Sequence, residues 1–103
     1  MPPYQTFSEA IIRSYGMNPV GTHGTVAVGT AGTTVAVPGG AFQVMFQALG
    51  TAIRYALAGT AGTVSGFQLA AGAAPVTITL GPASAVSFAA EAGTATLNYQ
   101  FVA

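Results

Sequence analysis

Along most of this chain hydrophobic and polar residues trade places at every second position, in short runs broken by glycine and proline. The clearest run is Val76-Thr77-Ile78-Thr79-Leu80, closed by Gly81-Pro82. Successive side chains of a strand point to opposite faces, so this alternation predicts a strand with one face buried. Earlier, Thr25–Val28 and Thr33–Val37 flank Gly29-Thr30-Ala31-Gly32, which predicts a β-hairpin. Phe42, Val44 and Phe46 fall on one face of the next run, and Gln43 and Gln47 on the other. Past Gly50, Ile53, Tyr55 and Leu57 share a face while Arg54 points away. Shorter strands are expected at Gly66–Leu69 and Ala85–Ala89. The last, Ala95–Phe101, puts Ala95, Leu97, Tyr99 and Phe101 inward and Thr96, Asn98 and Gln100 outward.

About eight strands at roughly 8–12-residue spacing, with no long helix between any pair, predict an all-β antiparallel sandwich. A jelly-roll-like winding is the leading topology for that number of strands. Gly-Thr-Ala-Gly-Thr occurs at Gly29–Thr33 and again at Gly59–Thr63, and Ala-Gly-Thr-Ala recurs within Ala92–Ala95. These pieces are unevenly spaced and fall at expected turns, so they are independent turn solutions and not a solenoid repeat.

The opening differs from the rest. Pro2-Pro3 predicts an extended start, because proline restrains its own φ and the residue before it. Ser8 to Tyr15 predicts one or two helical turns, stopped by Gly16 and Asn18-Pro19. The expected division is therefore an N-terminal arm over 1–22 and a β-sandwich domain over 23–103. The arm carries Tyr4, Phe7, Ile11, Ile12, Tyr15 and Met17 beside Glu9 and Arg13. Two readings stay open for these groups: they fold back on the domain's own core, or they dock on an adjacent subunit.

Charge changes the picture most. The 103 residues hold two acids, two bases and one histidine, so 4% are charged, against about 25% in ordinary domains. A monomer this size exposes roughly 5,300 Å², and four ionised groups are few to keep it dispersed. Either partners cover much of the surface, since interfaces shed charges that are costly to desolvate, or hydroxyls and amides wet it. Lysine is absent, which disfavours nucleic acid as a ligand, because phosphate affinity comes from Lys and Arg. No apolar run reaches the length of a membrane-spanning helix, and the first residues do not read as a signal peptide.

Candidate chemistry is sparse. Cysteine is absent, which removes thiolate catalysis and Cys-based metal sites. His23 stands alone in a Gly-rich lead-in, so an exposed loop imidazole is expected and not a zinc ligand. Glu9 and Glu91, in an arm and a turn, lack the rigid setting of a two-carboxylate mechanism. No catalytic residue, cofactor or metal site is expected, and the chain does not read as an enzyme. Arg54 and Glu91 are the charges inside the domain; each suits an inter-subunit salt bridge, or they pair with each other. Thr77/Thr79 and Thr94/Thr96 form Thr-x-Thr pairs of the kind ice-binding faces use, but two short pairs do not make a flat array.

Three stretches carry a resemblance. Ala52-Ile53-Arg54-Tyr55-Ala56-Leu57-Ala58-Gly59-Thr60 reads as a strand running into a Gly-Thr turn. A glycine-bounded piece follows at Gly66–Gly72, and Ala92–Gln100 closes the chain with Gly-Thr-Ala-Thr-Leu-Asn. Over Ala52–Ala103 the sequence resembles small β-sandwich virion proteins of tailed bacteriophages. It departs from that pattern at Ala56 and Ala58, where threonine and aspartate are usual. The resemblance implies a virion component on the outer surface of the capsid, and a cement or decoration protein suits the size. Its partners would be the major capsid protein and itself, as a homotrimer, with no nucleic acid and no membrane. The inter-subunit contacts expected on this reading are Pro2, Pro3, Tyr4, Phe7, Ile11, Ile12, Arg13, Tyr15 and Met17 of the arm, with Arg54 of the domain. The alternative is a head-fibre or tail-tip module that recognises host glycan, for which the Ala/Gly/Thr loops are poor material.

Overall fold

The computed structural model describes residues 18–103, and all of its regular structure is strand. The helical turns expected at Ser8–Tyr15, and the arm contacts from Pro2 to Met17, lie outside the described residues. Eight strands follow in order: β1 (Pro19–Gly29), β2 (Thr33–Ala36), β3 (Gln43–Leu49), β4 (Ile53–Ala56), β5 (Phe67–Leu69), β6 (Val76–Thr79), β7 (Ala85–Ala90) and β8 (Thr94–Val102).

They form two four-stranded antiparallel sheets, ordered β1-β8-β3-β6 and β2-β7-β4-β5. The pairings nest. β4 lies against β5, β3 against β6, β2 against β7 and β1 against β8, while β8–β3 and β7–β4 complete the sheets. Distant parts of the chain therefore build every sheet, and the termini of the described domain meet: Asn18 and Ala103 exchange backbone hydrogen bonds of 3.4 and 2.8 Å.

Period-two burial makes the sandwich. Val28, Val44, Phe46, Ala48 and Leu97 of the first sheet join Ile53, Leu69, Val86, Phe88 and Ala90 of the second in one core. Phe46 ties the layers together, its ring edge-on to Phe88 at 5.2 Å and to Tyr55 at 4.9 Å. Such aromatic pairs prefer this geometry because the positive edge of one ring meets the negative face of the other.

Several expectations need correction. No hairpin joins β1 and β2. Gly29-Thr30-Ala31-Gly32 does turn, with the Gly32 N–H donating to Gly29 O at 3.1 Å, but it carries the chain from one sheet to the other. Strand and turn are local properties, whereas the choice of partner is made by the whole sheet: β1 pairs with β8 and β2 with β7. β1 also begins at Pro19, so residues 19–22 belong to a strand that pairs with Phe101 and Val102 of β8. His23 accordingly sits in a strand and not in a loop.

Phe42 is not inward: pairing starts at Gln43, and the ring is 66% exposed. Its backbone is held at the sheet end, the N–H donating to Val102 O at 3.0 Å and the carbonyl accepting from Leu80 at 2.8 Å. Leu57 likewise falls just beyond the end of β4 and is exposed.

Candidate interaction surfaces

The only acid and base among the described residues find each other. Arg54 projects outward from β4, beside Gln68 of β5 in register, and Glu91 follows the end of β7. The Arg54 Nε donates to Glu91 Oε2 at 2.9 Å, and its Nη1 donates to Gly66 O at 3.2 Å. Gln68 Nε2 donates to both Glu91 oxygens at 2.9 Å. Arg54, expected at an inter-subunit contact, is thus engaged within its own domain. The sheet positions these groups because Arg54 and Gln68 are cross-strand neighbours on one face.

The same outer face is roofed by the chain between β4 and β5. Ala61 of that loop is buried, and its N–H donates to Ser87 Oγ on β7 at 2.9 Å. This explains why β7 is buried on both faces, where alternation alone predicts a solvated side. A serine in an otherwise apolar strand was the available signal, since a buried hydroxyl needs a partner.

The outer face of the first sheet is broad and uncharged. In register across it lie Thr25, Asn98 and Gln47, then Ala27, Thr96 and Leu49. Thr25 Oγ1 donates to Asn98 Oδ1 at 2.8 Å. The two Thr-x-Thr pairs, on β6 and β8, are separated by β3 with Met45, Gln47 and Leu49, so no continuous threonine array forms. β1 bulges between Val20 and Gly24. Gln100 fills the bulge, its Nε2 donating to Gly21 O at 3.1 Å and to Phe101 O at 2.9 Å.

Nothing resembling this chain emerges from comparison with protein-family models, curated proteins or solved structures. The surfaces themselves carry the functional argument. Among the described residues no three His, Cys, Asp or Glu side chains gather to hold a metal ion, and His23 stands exposed on β1.

Two clefts open where the sandwich is not closed. Between edge strands β1 and β2 lies one of about 490 Å³ with a mixed lining, Val20, Val26, Val35, Tyr99 and Phe101 beside Thr22, Thr33 and Thr34. On the opposite side, near edge strands β5 and β6, Tyr55, Ala56, Leu57, Ala58, Phe67 and Ile78 line one of about 470 Å³. There Phe67 is 72% exposed, its ring 5.8 Å from Tyr55. Sequence reasoning put Leu57 on one face with Ile53 and Tyr55, gave Phe67 only a place in a short strand, and missed this cleft, because alternation says which face a residue takes and not whether a strand is an edge.

Proposed function

We propose that this protein is a non-enzymatic structural component of a bacteriophage virion, a cement or decoration protein that braces the head shell. One observation carries the reading: the domain's single acid and single base neutralise each other, leaving an uncharged sheet face and an apolar cleft near β5 and β6. Such a surface associates by apolar burial, at about 25 cal/mol per Å² of apolar area removed from water. It gives up little desolvation energy on contact and presents nothing to attract DNA phosphates. The resemblance over Ala52–Ala103 points to the virion. The nested pairing of β1–β4 with β8–β5 supports a jelly-roll winding for the sandwich. On this reading the domain lies on the capsid as a homotrimer, bound to the major capsid protein and to its own copies, and residues 2–17 form the grip on a neighbouring subunit.

Quantitative mass spectrometry of purified particles tests the proposal. Hundreds of copies per particle are expected; a dozen or fewer would move the protein to a tail or fibre. Deleting residues 1–17 should lower shell occupancy while the domain stays folded, and unchanged occupancy would remove the arm from the mechanism.

A second reading, glycan recognition, has one observation in its favour. A shallow depression of about 400 Å³ on the outer face of the first sheet brings His23, Thr25, Gln47 and Asn98 around Met45 and Pro75. Specific binding on a glycan array would place recognition ahead of cementing.

A further inference from the structure

We infer that the two Gly-Thr-Ala-Gly-Thr segments, Gly29–Thr33 and Gly59–Thr63, form one latch, and that the chain over 59–65 is a strap which this latch holds shut and which opens while both sheets stay intact. The inference goes beyond the cement reading and does not depend on it.

The two copies meet over β7. The first ends at Gly32-Thr33, where β2 begins, and the second lies in the loop between β4 and β5. The place that a Cβ would take at Gly32 is 3.7 Å from Ala61 O and 3.8 Å from the Cβ of Ala89. From the other side the Ala61 N–H donates to Ser87 Oγ at 2.9 Å. Val86, Phe88 and Ala90 belong to the core, so Ser87 and Ala89 take the outer face of β7. Gly32, Ser87 and Ala89 together present nothing larger than a hydroxymethyl group. The notch they leave receives Ala61, which is 3% exposed.

Little else holds the strap. Between Gly59 and Ser65, Ala61 is the one buried residue, and Val64 is 84% exposed. The bond from Ala61 to Ser87 is, among the described residues, the one hydrogen bond from this stretch to a strand; the Gly62 N–H turns back to Ser65 O at 3.0 Å. Gly59 and Gly66 bracket the stretch at φ 81° and 103°, and glycine enters and leaves such conformations at low steric cost. β7 beneath it, by contrast, is paired on both sides, with β2 and β4. Segments that lose few buried contacts and backbone bonds open most readily. Opening the strap gives up one methyl contact and one hydrogen bond, and it uncovers the strip of Ser87 and Ala89.

Residue-resolved hydrogen exchange on the full-length chain tests this without any substitution. After correction for intrinsic rates, Ala61 should exchange at least about ten-fold faster than Leu97 of the buried first sheet. Its rate should stay flat in low urea while that of Leu97 climbs, because a local opening exposes little surface. Ser87→Ala should then speed exchange at Ala61 by about ten-fold or more, the effect of stranding a buried donor. The chain has no cysteine, so a thiol placed beneath the strap gives a second readout. Ala89→Cys should react with a small alkylating reagent in the absence of urea, several-fold faster than Val86→Cys on the core face of the same strand. One shared rate and urea slope for Ala61 and Leu97, or Ala89→Cys no faster than Val86→Cys, overturns the strap. An Ala61 rate untouched by Ser87→Ala overturns the latch.

Discussion

Phe46 ties the two sheets together, because it is buried and its ring touches Phe88 and Tyr55 of the facing sheet. Phe46→Ala should therefore cost about 3–5 kcal/mol, read as a lower urea midpoint with unchanged slope. Ser87 matters for a different reason. It is the hydrogen-bond acceptor for a buried N–H, that of Ala61. Ser87→Ala strands that donor and should cost about 1–3 kcal/mol, together with faster hydrogen exchange at Ala61. At Gly66 the backbone takes φ +103°, and a Cβ would lie 2.8 Å from Tyr55 O. Gly66→Ala should destabilise by about 1–3 kcal/mol; a melting temperature equal to wild type would show that the turn relaxes freely. The Arg54–Glu91 pair, with each side chain about a quarter exposed, contributes less, on the order of 0–1 kcal/mol.

At the level of elements, β1 is two pieces. From Gly24 to Gly29 it runs in continuous register with β8, whereas Pro19 and Val20 pair beyond the bulge. The bulge is secured by Gln100, whose amide donates to the carbonyls of Gly21 and Phe101. Gln100→Ala should therefore loosen the start of β1 alone. Hydrogen exchange should rise at residues 20–23 and stay unchanged at 25–28, since local openings involve contiguous units of low stability. Equal acceleration across all of β1 would mean that the strand opens as one unit. The nested pairing has a kinetic side as well: β1 finds β8 across nearly the whole chain, so the first sheet cannot close before the C-terminal strand is available.

For the whole molecule, the decisive property is neutrality. A described domain with one internally satisfied ion pair has almost no electrostatic term for salt to screen. Under the cement reading, raising salt from low to molar concentration should leave particle occupancy unchanged or increase it, as apolar contacts strengthen. Occupancy that falls steeply with salt would point to a charged contact and so to Glu9 or Arg13.

Much of this molecule is legible in the sequence. Alternation at Val76–Leu80 and Ala95–Phe101 specifies strands and the faces they bury, because side-chain direction has period two whatever the partner. Glycine and proline mark where the strands stop, and eight such runs without long helices leave a two-layer β architecture. The sparse charge was equally plain. What alternation does not encode is pairing. The predicted β1–β2 hairpin dissolved because each strand found a partner from the other end of the chain, a choice made by the summed fit of two sheets. Edge position is likewise a tertiary fact, and it separates Val44, buried on an inner strand, from Phe67, exposed on an edge strand. The roof over Ser87 and the satisfaction of Arg54 by Glu91 arise the same way, from segments far apart in sequence. Composition set how little charge the surface carries; the tertiary structure paired the domain's one acid with its one base on an outer face and left clefts at its edges.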